Sequence, residues 1–142
     1  MLVTTGIICV VFGLVGFGGQ LLSAVSWPLA QRLGLQERDD VTDALFRRLE
    51  RNTARWDLLV LWTLPACGAL MIVDHPAWPI AALVAGPLHV DTAGRELAKV
   101  LGLRAEGVAV GSAKSFAVLC GLFASMAAIG LWISGYGLAT LI

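Results

Sequence analysis

"RRLERNTARWD", Arg47 to Asp57, runs without a break into "LLVLWTLPACGALMIV", Leu58 to Val73, and the fold turns on how that junction is read. Four arginines crowd eleven residues immediately before sixteen that carry no charge. Thr42 to Asp57 contains neither Pro nor Gly, and its acids come early (Asp39, Asp40 and Asp43 lie at or before its start) while its bases come late. Such a segment suits both helix propensity and the helix dipole. Val41, Leu45, Leu49 and Trp56 recur at helical spacing and predict one apolar stripe, with Asn52 on it. A carboxamide buried there needs hydrogen-bond partners from another helix or from a ligand. The junction therefore predicts an amphipathic helix at a membrane's edge that feeds a membrane span.

The rest of the chain agrees. Of 142 residues, 58% are hydrophobic and only 14% charged, and the mean hydropathy of +0.81 lies far above that of soluble globular proteins. Leu2 to Gln31 and Ser115 to Ile142 carry no charged side chain, and each exceeds a hydrocarbon core of roughly 30 Å at helical rise. The first run lacks a basic leader and is too long for a signal-peptide core, so it is expected to stay in the mature protein. Two shorter runs, Leu58 to Val73 and His75 to Val90, flank Asp74 and the turn-forming "DHPAWP". The expected fold is an all-α membrane protein, a single four-helix transmembrane bundle. Its spans are placed at about 2–31, 57–73, 77–92 and 108–138, with polar segments at 32–56 and 93–107.

All ten Lys and Arg residues fall between Arg32 and Arg55 or between Arg95 and Lys114. The positive-inside rule puts both segments in the cytoplasm and both chain ends on the other side. Because an out-and-back pair of runs joins them, a re-entrant hairpin would give the same orientation. A formal net charge of zero offers no attraction to nucleic acid.

Several residues have structural readings. Trp56 and Trp78 fall where interfacial anchors are expected. Cys9, Cys67 and Cys120 sit apart inside apolar runs, without metal-ligand spacing or a disulfide framework, and read as small core residues. His75 and His89 would lie about 20 Å apart on one helix, too far to clamp one haem iron. Interfacial solvation accounts for His89 more cheaply than a proton path shared with Asp91. Gly16, Gly18 and Gly19, and again Gly107 and Gly111, are read as points of close helix approach.

The arginines are less easily absorbed. Arg47 has Asp43 and Glu50 at helical spacing, but Arg48, Arg51 and Arg55 have no acid three or four residues away. Their partners must come from elsewhere: Glu96 or Glu106, lipid phosphates, or an anionic ligand gripped by guanidinium forks.

"RLERN", Arg48 to Asn52, ahead of a span resembles the Arg-x-x-Arg-Asn element that opens the second helix in the MAPEG family, the membrane-associated proteins in eicosanoid and glutathione metabolism. "GRELAKVLGLR", Gly94 to Arg104, is similar to the Gly-Arg and short amphipathic turn that close the family's third span, and "FASMAA", Phe123 to Ala128, also has a family flavour. Arg55 stands where the family usually has Glu. The tyrosines common in the family's last helix are missing, and the lone Tyr136 lies toward the opposite membrane face.

The resemblance implies a homotrimer that binds glutathione between subunits at the cytoplasmic helix ends, with Arg48, Arg51, Asn52, Arg55 and Arg95 as the binding residues. A tripeptide with two carboxylates would relieve the unpaired guanidiniums. Lys114 and Ser115, at the start of the last helix where the family often has Arg, are the candidates for holding the thiol as the thiolate nucleophile. A lipophilic electrophile or lipid peroxide would arrive from the bilayer, giving transferase or peroxidase activity. The alternative is a non-enzymatic membrane subunit whose arginine face docks a partner protein or anionic lipid. A proton-coupled transporter is disfavoured because no lone acid is evident inside a span.

Overall fold

The computed structural model describes all 142 residues and contains six helices and no strand. Helix α1, Leu2–Val25, is apolar throughout, and the short α2, Trp27–Arg32, follows it. The expected span 2–31 is thus broken at Ser26, whose φ of −143° leaves helical geometry. Pro28 explains the restart, since a residue without an N–H is tolerated only in a helix's first turn.

Helix α3, Ala44–Asp57, is capped by Asp43, whose carboxylate accepts from the Leu45 N–H at 2.7 Å. Between it and α4, Thr63–Ile72, the chain stays coiled through Leu58–Trp62, with the Leu61 N–H donating to the Asp57 carbonyl at 2.8 Å. Helix α5, Trp78–Ala105, runs 28 residues and joins the expected span 77–92 to most of the segment 93–107 as one rod. Pro87 removes one bond from its ladder, on the exposed side. Helix α6, Ala113–Leu141, is capped by Ser112. Of the six, α1 and α6 are long and apolar enough to cross a membrane.

The bundle is held by α1 against α4, α5 against α6, and α4 against α5, around Leu64, Met71, Cys9, Cys67, Ala85 and Ile133. Two crossings are backbone to backbone. A Cβ at Gly6 would lie 2.7 Å from the Gly68 carbonyl oxygen, and one at Gly86 would lie 2.5 Å from that of Gly130. Gly16, Gly18 and Gly19 face open space instead, and Gly107 and Gly111 are positive-φ turn residues, so close approach falls to other glycines than expected. Trp78 is core rather than an interfacial anchor: it is 5% exposed and its ring centroid lies 5.0 Å from that of Tyr136. Trp56 is exposed, as expected; Cys9 and Cys67 are fully buried, whereas Cys120 is half-buried.

The crossings also fix which ends meet. Gly6 lies against Met71 and Ile72, and Gly137 against Pro79, so both chain ends share one end of the bundle with the Asp74 turn. At the opposite end the two basic segments join: Thr42 bridges to Val110, the Asp43 N–H donates to the Ala109 carbonyl at 2.7 Å, and Glu37 accepts from the Ser112 hydroxyl at 3.0 Å.

Candidate functional site

Helix α3 presents two unlike faces at this basic end. Its buried residues are Phe46, Glu50, Ala54 and Asp57, spaced four, four and three apart. The expected apolar stripe faces outward: Val41, Leu45 and Trp56 are exposed and Leu49 is half-buried. Rotation of the charged face inward is possible because its acids find partners there. Lys99 of α5 lies 2.7 Å from Glu50 Oε1, donates to the Thr53 hydroxyl at 3.1 Å, and is paired with Glu96 one turn earlier on its own helix.

Two carboxylates therefore share one ammonium in a confined space. Burial pushes the Glu50 carboxyl above its ordinary value, against the pull of Lys99, and Glu96 adds to the rise. Burial by itself would depress Lys99, but the two carboxylates outweigh it and hold the ammonium above its usual value.

On the outward face Arg48, Arg51, Asn52 and Arg55 lie together, all exposed. None of the three arginines makes an ion pair, and the Asn52 amide has no protein partner. Arg51 lies over the ring of the buried Trp27, 4.9 Å from its centroid. Arg47 pairs with neither Asp43 nor Glu50 as its spacing suggests. Asp43 is used as the cap and Glu50 by Lys99, so Arg47 turns to Asp39 at 3.6 Å and to the carbonyls of Asp39 and Thr42. Nearby acids are similarly committed. Arg95 holds Asp91 at 2.8 Å, Arg38 holds Asp40 at 3.2 Å, and Glu96 faces Lys99 rather than the arginines.

The remaining expected residues are not gathered here within one chain. Arg95 is bound to Asp91 on its own helix, and α6 does not pack on α3. Lys114 is exposed without an ion pair. Ser115 lies 3.0 Å from the Ser112 hydroxyl, which donates to Glu37, and this network holds the Glu37 carboxyl below the usual carboxylate range.

A cavity of about 190 Å³ opens between α1, the end of α3, α5 and α6. Phe12, Leu61, Phe123 and Met126 line its apolar part, while Gln20, Ser23, Asp57, His89 and Thr92 line its polar part. Asp57 is 1% exposed; its Oδ2 accepts from Gln20 at 3.1 Å, and its Oδ1 has no partner. His89 is also 1% exposed and bonded to the Ala85 carbonyl at 2.8 Å, so it is not solvated at an interface, while Asp91 is exposed and held by Arg95. Asp57 opens the expected span 57–73, and the expectation that no lone acid lies inside a span passed over it. The spacing of Phe46, Glu50, Ala54 and Asp57 was the signal that could have found it.

Comparison with protein-family models, with curated proteins and with solved structures gives no match for this chain.

Proposed function

We propose that this chain is a four-span membrane protein of the MAPEG type that binds glutathione on the outward face of α3, at the cytoplasmic end of the bundle, where a neighbouring copy in a trimer completes the site. Support for the membrane setting comes from α1 and α6, both apolar along their length yet mostly unburied. Val15 is 69%, Val118 65% and Leu131 64% exposed, a surface suited to lipid. The positive-inside rule then orients the basic end to the cytoplasm.

The observation that carries the ligand reading is that no acid of the chain, Glu96 and Glu106 included, pairs with Arg48, Arg51 or Arg55, which stand side by side without a counter-charge. Glutathione carries two carboxylates for those forks and amides for Asn52. Exposure of the four side chains in a single chain fits a site walled by a second one.

Calorimetric titration of the purified protein with glutathione tests this. Saturable heat that Arg51→Ala removes is the expected result; absence of heat in both proteins would refute glutathione binding. A second reading is favoured by Ser115, whose hydroxyl is engaged in the Glu37 network rather than free beside a thiol: a non-enzymatic subunit that docks anionic lipid or a partner through the same arginines. Ultraviolet absorbance of bound glutathione thiolate separates the two. Transferase or peroxidase activity on lipophilic electrophiles requires that band and its loss in Lys114→Ala, whereas a docking subunit shows none.

A further inference from the structure

The cavity between α1, α5 and α6 has an unusual imbalance of hydrogen-bonding groups. The side chains at its polar end are engaged with one another, each glutamine through one of its two N–H groups. Gln20 Nε2 donates to Asp57 Oδ2 at 3.1 Å, and Gln36 Nε2 donates to Ser23 Oγ at 3.1 Å. The Ser23 hydroxyl donates to the Gly19 carbonyl at 2.9 Å, and Thr92 donates to the Leu88 carbonyl at 2.8 Å. His89 Nδ1 faces the Ala85 carbonyl at 2.8 Å; a carbonyl can only accept, so an uncharged ring keeps its proton there and Nε2 is left as a lone pair.

What remains beside those amides is a carboxylate oxygen with no donor on it. Asp57 Oδ1 is buried without any partner, and Thr92 and His89 line the same cavity. No cation of the chain pairs with Asp57, because Lys99 is held by Glu50 and Glu96, and Arg95 by Asp91. A buried acceptor without a donor costs free energy, and a carboxylate costs more than a neutral group. Phe12, Leu61, Phe123 and Met126 add apolar surface to the lining.

From this geometry we infer that the cavity is a binding site for a small lipophilic amine, with its ammonium on Asp57 Oδ1 and its apolar body among the two phenylalanines, Leu61 and Met126. An ammonium brings three donors and a positive charge, which match a buried carboxylate with one unpartnered oxygen; a neutral apolar molecule or an anion matches neither. The volume of about 190 Å³ suits a body of one aromatic ring, since an apolar cavity of roughly 150 Å³ holds benzene. This site lies on the opposite side of α3 from the arginine face and does not depend on glutathione binding there.

The test uses the full chain in lipid nanodiscs and 2-phenylethylamine as probe, followed by calorimetry. Saturable binding is expected, weakened by about tenfold or more in Asp57→Asn. Gly16 lines the cavity and a Cβ there meets nothing within 4 Å, so Gly16→Leu should fill the space and abolish binding with Asp57 intact. That variant decides the matter if Asp57→Asn does not fold. The uncharged isostere 2-phenylethanol should bind at least about tenfold more weakly than the amine. No saturable binding by the wild type, equal binding by Gly16→Leu, or equal affinity for amine and alcohol would each overturn the assignment. Glutathione heat should be unchanged in Gly16→Leu, which keeps this result separate from the arginine site.

Discussion

On the buried side of α3, Glu50 shares Lys99 with Glu96 while Asp57 keeps one oxygen without a donor; on the outward side, Arg48, Arg51 and Arg55 stand in the open with no acid at all. One helix of 14 residues thus separates an acid-rich interior from a base-rich surface, although the whole chain has a formal charge of zero. The difference teaches that matched totals say nothing of matched neighbours. Acids inside are expensive to ionise, and Glu50 and Glu96 depend on a single shared cation, whereas arginines outside are solvated and available.

The contrast can be broken most forcefully at Lys99. Lys99→Met leaves Glu50 and Glu96 buried without their ammonium and should destabilise the folded protein by about 3 kcal/mol or more, measured by chemical denaturation in detergent. A variant as stable as wild type would mean that the interior does not rely on that charge.

A smaller effect is expected from Glu50→Gln. With its folded-state affinity for a proton raised by burial, Glu50 contributes stability that is complete below its unfolded value and lost as pH rises through the folded one. Glu37 acts in the opposite sense: its lowered value gives stability present above the unfolded carboxylate range and lost as pH falls through the folded value. Glu50→Gln should therefore remove its part of the loss of stability on moving from acid to neutral pH. Melting curves across that range measure it, and an unchanged slope would assign the pH dependence elsewhere.

The outward face should respond least. Arg51→Ala loses the stacking on Trp27 and is expected to cost about 0.5–1 kcal/mol, while Arg48→Ala and Arg55→Ala should stay within about 0.5 kcal/mol. Thermal denaturation of the three variants in parallel checks the ranking. A large loss in Arg48→Ala or Arg55→Ala would show a counter-charge on that face and sharpen the search for it.

Much of the outline was legible because it rests on composition along the chain. The uncharged stretches at 2–31 and 115–142 marked α1 and α6, and the Pro-free, Gly-free run to Asp57 marked α3. The unpaired state of Arg48, Arg51 and Arg55 also followed from helical spacing. What the sequence concealed was rotation about the axis. Leu45 and Trp56 seemed the natural inward face, but Lys99 and Gln20, distant in sequence, made it favourable to turn Glu50 and Asp57 inward instead. Likewise, spacing offered Asp43 and Glu50 to Arg47, but a cap and a tertiary ion pair had prior use for them. The cavity was hidden because its walls come from four helices.

The glycine crossings described above divide the chain's glycines by how freely evolution can replace them. At Gly6, Gly68, Gly86 and Gly130 even a single methyl would collide with the facing main chain, so lineages carrying this fold have almost no room to drift there. At Gly16, Gly18, Gly94 and Gly102 the space is empty, and substitution is sterically open. A distant relative would thus be recognised less by its exposed arginines than by four absent side chains spaced to let two pairs of rods touch.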